Sequence, residues 1–392
     1  MRKLMVLGAG ISQLPLIKTA KEMGLTLIVL SRYGKYPGFA LADKVYYEDT
    51  TNVDKVVEIA KLERIEGICT TGTDVAVKSI GKVADTLRLS GISYDSAKLS
   101  SNKWEMKQAF MEHGVRTAKF IKAKTIEEAY QAFEALTAPL IFKSVDNGAS
   151  KGIAKVASAA QVEYAYEYVM KATKLDFFVI EEFVEGTEFG AQGFVNDNRL
   201  QFIMPHGDLM FYGDTGVPIG HYVPYELPDN VVEDIRVQLE NSIRALRLNN
   251  CAINADFILK DGKVYVLEIG GRAGATCLPE LVSTFYGFDY YEQIIRSALR
   301  MNPAFPTHSA QPCACELLIA DEDGEIVRLE NGNGAHDDII QVSFDYDIGD
   351  TIRKFRVGTD RIGQIIVKGD SLEQSLNRLA EVKANIGIAL RN

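Results

Sequence analysis

The first hundred residues alternate between short apolar runs and amphipathic stretches, and this constrains the fold more than any other feature of the chain. "KLMVLGAG" leads into "SQLPLIKTAKEMG"; "LTLIVLS" and "ADKVYYED" follow, then "NVDKVVEIAKLERI", "EGICTTG" and "DVAVKSIGKVADTL". Strand-length apolar runs separated by helical periodicity predict βαβ units and a parallel sheet. Gly8-Ala9-Gly10 follows the first run as a phosphate loop would. Gln13 stands where the third glycine of GxGxxG belongs, so a phosphate loop and a plain tight strand-to-helix turn both fit. The apolar N-terminus superficially resembles a signal peptide, but Gly8 and Gly10 cut it short and a helix-like stretch continues it, which argues against that reading.

At 392 residues the chain exceeds one hydrophobic core and predicts about two to four domains. Lys and Arg total 43 against 53 Asp and Glu, a net charge of −10. An acidic chain without a basic block does not suit non-specific nucleic-acid binding, so any phosphate site must be made locally positive. The five cysteines are odd in number and form no CxxC pair. They read as free thiols of a reducing compartment, with the cytoplasm as the expected location. No apolar run reaches the roughly 18 residues of a membrane span.

A second unit opens at "SSNKWEMKQAFMEHGV", a helix that Ser101 or Asn102 can cap and Gly114 can end. From 115 to 200 the order strand, helix, strand, glycine-rich loop, strand, helix, strand suits an α+β layer. Residues 205–225 lack a clear period and are rich in Gly, Pro and aromatics, which predicts a long, functional loop. A helix (229–247), two strands (251–259 and 263–269) and a further helix (278–300) follow. "MNPAFPTHSAQP" reads as a linker to a small β-rich terminal unit. The expected domains are 1–100, 101–310 and 311–392.

Three stretches carry chemistry. In "PLIFKSVDNGASKGIAKV" a strand ends at Lys143, a loop with Ser150, Lys151 and Gly152 follows, and a second strand begins. Such a loop can fold over phosphates, with a lysine at its base, or be an exposed hairpin. In "DFFVIEEFVEGTEFGAQGFV" Glu181 and the neighbouring backbone can meet an adenine edge and Glu188 a ribose, or the segment is a charged hairpin. In "CAINADFILKDGKVYVLEIGGRAG" the turn signal Lys260-Asp261-Gly262 joins two strands across which Asp256 and Glu268 can face each other, or one carboxylate is simply exposed at a strand end. Like charges so placed are destabilising unless a cation lies between them, and Mg²⁺ is held by one or two carboxylates plus substrate phosphates.

In order and spacing these segments resemble the ATP-grasp superfamily over essentially the whole chain. The resemblance implies a Rossmann-like α/β pre-ATP-grasp domain, an ATP-grasp α+β fold with a mobile lid at about 115–182, and a small β-rich C-terminal domain like that of biotin carboxylase. It implies ATP as cofactor with Mg²⁺ or Mn²⁺. Lys103 and Lys143 match the phosphate lysines, Ser150, Lys151 and Gly152 the loop over the phosphates, and Glu181, Phe183 and Val184 the adenine hinge. Glu188 matches the ribose acid, Asp256 and Glu268 the metal ligands, and Arg272 the arginine on the reacting carboxylate. Gly270 departs from the pattern, because an asparagine commonly stands there as a further metal ligand. Thr276 replaces the glutamate of bicarbonate-activating members. His221 and Tyr222 match the substrate-facing segment of the amino-acid ligase branch.

The implied activity is activation of a small carboxylic acid, an amino acid above all, as an acyl phosphate that an amine captures, with release of ADP and phosphate. Carboxylate and amine substrates are thus the expected partners, without nucleic acid or membrane, and homodimers are common in proteins of this resemblance. The alternatives are a glycinamide ribonucleotide synthetase-like ligase of nucleotide metabolism and a non-catalytic, ATP-binding regulatory protein.

Overall fold

The computed structural model describes residues 2–146, 152–212 and 216–391. The N-terminal alternation folds as expected. Strands β1 (Lys3–Leu7), β2 (Thr26–Ser31), β3 (Lys44–Tyr47) and β4 (Gly67–Cys69) form a parallel sheet in the order β3-β2-β1-β4. At the turn after β1, Gly8 has φ +95°. The Gln13 side chain accepts the Gly10 N–H at 3.1 Å and donates to Thr71 O at 2.6 Å. Gln13 therefore occupies the donor that a phosphate loop would offer, and the turn is a plain structural one.

The second layer holds β5 (Phe120–Ala123), β6 (Leu140–Lys143), β7 (Ile153–Val156) and β8 (Phe178–Glu182), antiparallel in the order β5-β8-β6-β7. Helices Ile126–Ala135 and Val162–Ala172 pack Ala129, Ala132, Val162, Ala165 and Val169 against Leu140, Phe142, Phe178 and Ile180, a small core of its own.

The third layer is a long sheet. It contains β9 (Thr187–Asn196), β10 (Arg199–Tyr212), β11 (Gly216–Val223), β12 (Cys251–Lys260), β13 (Lys263–Gly270) and β14 (Cys313–Leu318). After β15 (Gly324–Asn331) come β16 (Ile339–Phe344), β17 (Thr351–Ile352), β18 (Gly363–Lys368) and β19 (Ile386–Arg391). The order β13-β12-β9-β10-β11-β14-β18-β16 makes one eight-stranded sheet, with β17-β15-β19 a separate small one. The segment after the linker thus extends the sheet begun before it.

Two local expectations fail. Residues 205–225 are largely a hairpin of β10 and β11 rather than a loop. Their glycines mark close approach within a sheet: a Cβ on Gly207 would lie 2.1 Å from the Tyr222 ring, and one on Gly220 2.2 Å from Cys315 O. The stretch 278–300 is two helices, Leu278–Tyr286 and Tyr290–Ala298. Gly287, at φ +74°, ends the first, and the Asp289 side chain caps the second by accepting the Glu292 N–H at 3.0 Å.

Gly220 pairs with Glu316 where β11 meets β14, the joint between the two halves of the long sheet. Gly220→Ala should cost about 1–3 kcal/mol through overpacking against backbone that has no room to yield. Urea unfolding of the two chains measures it; an unchanged midpoint contradicts the close approach.

Candidate active site

β12 and β13 are joined by the two-residue turn Asp261-Gly262. In an unbroken hairpin Asp256 would pair with Leu267. A register shift after Asp256 brings Glu268 opposite it instead. Val264 and Val266 face the core, so strict alternation would send Glu268 there as well; the bulge turns it to the face of Asp256. The row continues across the sheet, since Asp256 pairs with Gly190 on β9 and Gly190 with His206 on β10. Residues paired in register share a face. The two carboxylates and His206 therefore stand in line, with Gly190 as a gap between them. Elsewhere on this face Ala252, Phe194, Phe202 and Met204 are covered by the helices Leu278–Tyr286 and Tyr290–Ala298.

The cations come from other layers. Helix Lys103–Glu112 begins at Asn102, whose side chain accepts the Trp104 and Glu105 N–H groups. Its first residue sends Nζ to Glu268 Oε2 at 3.1 Å. One turn later Lys107, fully buried, reaches Glu181 Oε2 at 3.0 Å, and Lys143 at the end of β6 reaches the same oxygen at 3.2 Å. Lys107 also donates to Thr117 Oγ1. Burial pushes the Lys107 ammonium down against the pull of Glu181. Burial also opposes charge on Glu181, but the two ammonium groups outweigh it and hold its carboxyl low. Glu181 is thus a buried counter-ion for two lysines rather than a group open to an adenine edge. Lys107 was missed in the sequence, although its i, i+4 spacing from Lys103 places both on one helix face.

Charge separates the carboxylate pair. Lys103 first, together with Lys143, holds Glu268 low, while burial and the neighbouring Glu268 and Asp208 push Asp256 up. No hydrogen bond or ion pair to Asp256 is found among the described residues. A facing pair of carboxyls, one deprived of a partner, fits a divalent cation bound by oxygen.

Arg272 makes its ion pair with the first unit, not with Glu268. Its Nε and Nη2 donate to Asp74 Oδ1 and Oδ2 at 2.8 and 2.6 Å. Asp74 also fills the space left by the glycine of β13: a Cβ on Gly270 would lie 3.0 Å from Asp74 Oδ1. Asp74 lies almost two hundred residues away in sequence, and no local signal pointed to it.

Phe183 and Val184 leave β8 half-buried, with the Phe183 N–H donating to Pro139 O and Lys155 Nζ 3.6 Å over the Phe183 ring. Glu188 is exposed on β9, two residues before Gly190 and so on the face of Asp256. Gly152, at φ +67°, accepts the Ser144 N–H; Ser150 and Lys151 lie outside the described residues. His221 and Tyr222 cannot both face the site, because neighbours on a strand point oppositely. His221 pairs with Asp208, whereas Tyr222 packs over Gly207 and beside Tyr225 on the other face. That corrects the expectation for Tyr222.

A family model described as an ATP-grasp domain matches residues 100–276, and one described as L-amino acid ligase C-terminal domain 2 matches 316–391. The crystal structure of phosphoribosylglycinamide synthetase from Anaerococcus prevotii is 36% identical over the full length of both chains, with a TM-score of 0.87. The L-amino acid ligase structure from Bacillus licheniformis, 18% identical and covering 100% of this chain and 99% of its own, has a TM-score of 0.82 and shares the fold. The alanine–anticapsin ligase of Bacillus subtilis is 24% identical over 266 residues, 62% of this chain and 56% of that one. This chain spans 24%, 48% and 56% of the lengths of the first three curated relatives it matches. The chain belongs to the ATP-grasp family.

Glu181→Gln leaves Lys107 and Lys143 buried together without an anion, and should destabilise the fold by about 3–5 kcal/mol. Adding Lys107→Met removes one of the stranded charges and should recover a large part of that loss. Denaturant unfolding of the two single variants and the pair reads the coupling; additive losses would mean that the two groups do not interact.

Proposed function

We propose that the protein is an ATP-dependent ligase that joins a small carboxylic acid, of the amino-acid class, to an amine and releases ADP and phosphate. The observation that carries this reading is the row of Glu268 and Asp256 on one sheet face, with Lys103 upon Glu268 and Lys143 close by. Bound Mg²⁺-ATP supplies the phosphoryl group and the metal charge that neutralises it. Asp256 and Glu268 hold the metal, and Asp74, filling the space beside Gly270, is the candidate for the remaining ligand. Lys103 and Lys143 bind phosphate oxygens. A carboxylate approaching ATP meets like charge, and Arg272 offers it two N–H donors in the geometry that Asp74 now uses. The acyl phosphate so made is captured by the amine in a site closed to water. Phe183, Val184 and Glu188 bind the nucleoside, and the segment from Lys143 to Gly152 covers the phosphates.

The 36% identity to a phosphoribosylglycinamide synthetase supports a second reading, in which the amine is a phosphosugar amine and the acid glycine. A sugar phosphate calls for basic residues near the acid site, and residues 200–212 and 216–223 contain no Lys or Arg. That favours an unphosphorylated substrate.

ADP and phosphate release with Mg²⁺-ATP, measured against amino acids and small acids singly and in pairs, and against glycine with phosphoribosylamine, separates the readings. Release that needs an acid and rises with an amine supports the ligase and names its substrates. Turnover only with phosphoribosylamine moves the assignment to the second reading, and ATP binding without acid-dependent release across both sets sinks both. Glu268→Gln should lower turnover at least ~100-fold while circular dichroism shows the fold intact. Lys143→Ala should weaken ATP binding by about 1.5–3 kcal/mol in titration calorimetry, and equal affinity removes Lys143 from the phosphate site.

A further inference from the structure

His206, Asp208 and His221 form a cluster that the ligase reading leaves without a task. His206 and Asp208 lie two residues apart on β10, and His221 pairs with Asp208 from β11, so all three share the face of Asp256 and Glu268. The Nδ1 atoms of His206 and His221 lie 3.0 and 2.6 Å from the same oxygen, Asp208 Oδ1. One nitrogen from each ring and a carboxylate oxygen all fall within 4.8 Å of one another. The rings stand edge to face with centroids 4.9 Å apart. Both histidines are about 97–98% buried, whereas Asp208 keeps a fifth of its side chain exposed, a way in for a small ion.

We propose that this cluster is a second metal site, distinct from the Asp256–Glu268 pair, for a divalent transition cation of the Zn²⁺, Co²⁺ or Mn²⁺ class. Two imidazoles and one carboxylate leave coordination positions open and suit such cations, whereas Mg²⁺ takes oxygen ligands. Ligand atoms ~2.1 Å from an ion stand about 3 Å apart along an octahedral edge, so the present spacings need to open by only a few tenths of an ångström.

Three further observations point the same way. His206 Nε2 is buried without a hydrogen-bond partner among the described residues, so the ring is not held there by its hydrogen bonds alone. Gly190 makes room for that ring: a Cβ there would lie 2.3 Å from His206 Cε1 and 2.4 Å from Nε2. Finally, Asp208 adds a further negative charge beside Asp256, in a stretch of the hairpin, 200–212 and 216–223, that carries no Lys or Arg. A cation at the cluster supplies that balance. The rival role is a brace in which Asp208 merely accepts hydrogen bonds from both rings.

The test uses Co²⁺ and the full chain, stripped with chelator and free of nucleotide, followed by visible absorption and titration calorimetry. Wild type should bind Co²⁺ with a d–d band of nitrogen ligation, and Glu268→Gln should retain that band. Asp208→Asn and His221→Gln should each lose the band and at least ~100-fold in affinity, with circular dichroism confirming the fold. If either variant fails to fold, the other, or wild type with Glu268→Gln, still decides. No Co²⁺ binding by wild type overturns the proposal. So does binding that Glu268→Gln abolishes while Asp208→Asn and His221→Gln retain it. Because neither nucleotide nor acid is present, the outcome is independent of the ligase assignment.

Discussion

Asp256 and Glu268 face each other across neighbouring antiparallel strands, an arrangement that raises the energy of the sheet unless a positive charge answers it. The surrounding structure supplies that answer from three directions. Lys103 comes from the start of a helix that leads out of the first unit, and Lys143 acts at longer range from the end of β6 in the second layer. Arg272 follows directly after β13 and is fastened to Asp74 in the parallel-sheet unit. The carboxylate pair therefore ties the layers together electrostatically, and the same charge that would destabilise an isolated hairpin is what the proposed ligase would offer to a metal. The bulge after Asp256 is the local device behind it, because without it Glu268 would turn to the opposite face.

The Lys107–Glu181–Lys143 group has a different character. It lies at the junction of the helix Lys103–Glu112 with β6 and β8, and Glu181 is nearly inaccessible. Two ammonium groups share one carboxylate oxygen, so removing the acid strands both. Such a network contributes little net stability compared with apolar packing but fixes a particular arrangement of the elements that carry it. Here those elements are the ones that present Lys103 to Glu268 and Lys143 to the same site. The buried ion pairs hold Lys143 in position and, through Lys107, the helix that carries Lys103.

Much of this was legible in the sequence, and the failures have physical causes. The parallel sheet announced itself through local periodicity, and the β12–β13 hairpin through its turn residues, whereas the bulge that brings Glu268 opposite Asp256 did not. The β10–β11 hairpin was hidden because Gly207 and Gly220 read as loop residues, whereas each is small to let a ring or a backbone carbonyl approach. His206 and Asp208 therefore seemed to sit in a loop, and the strand alternation that separates His221 from Tyr222 could not be applied. Lys107 was readable from its spacing to Lys103, but a second lysine on a helix is ordinarily a surface residue. Asp74 had no sequence signal at all, since its role exists only once the first unit is docked against β13.

Asp74 also bears on the chemistry. A bidentate carboxylate on Arg272 has the geometry that a substrate carboxylate would take, and Asp74 provides it from outside the sheet. An arginine held in this way is already oriented and already desolvated on the face turned to Asp74, so less rotamer entropy is lost when substrate arrives. The same contact sets a competition, because an incoming acid must share the guanidinium or displace Asp74. Were Asp74 to turn instead to a metal held by Asp256 and Glu268, Arg272 would be left open to the acid of the proposed ligase, and the two events would support each other. The glycine that departs from the family pattern is then what makes room for this exchange, since an asparagine at that position would compete with Asp74 for the same space.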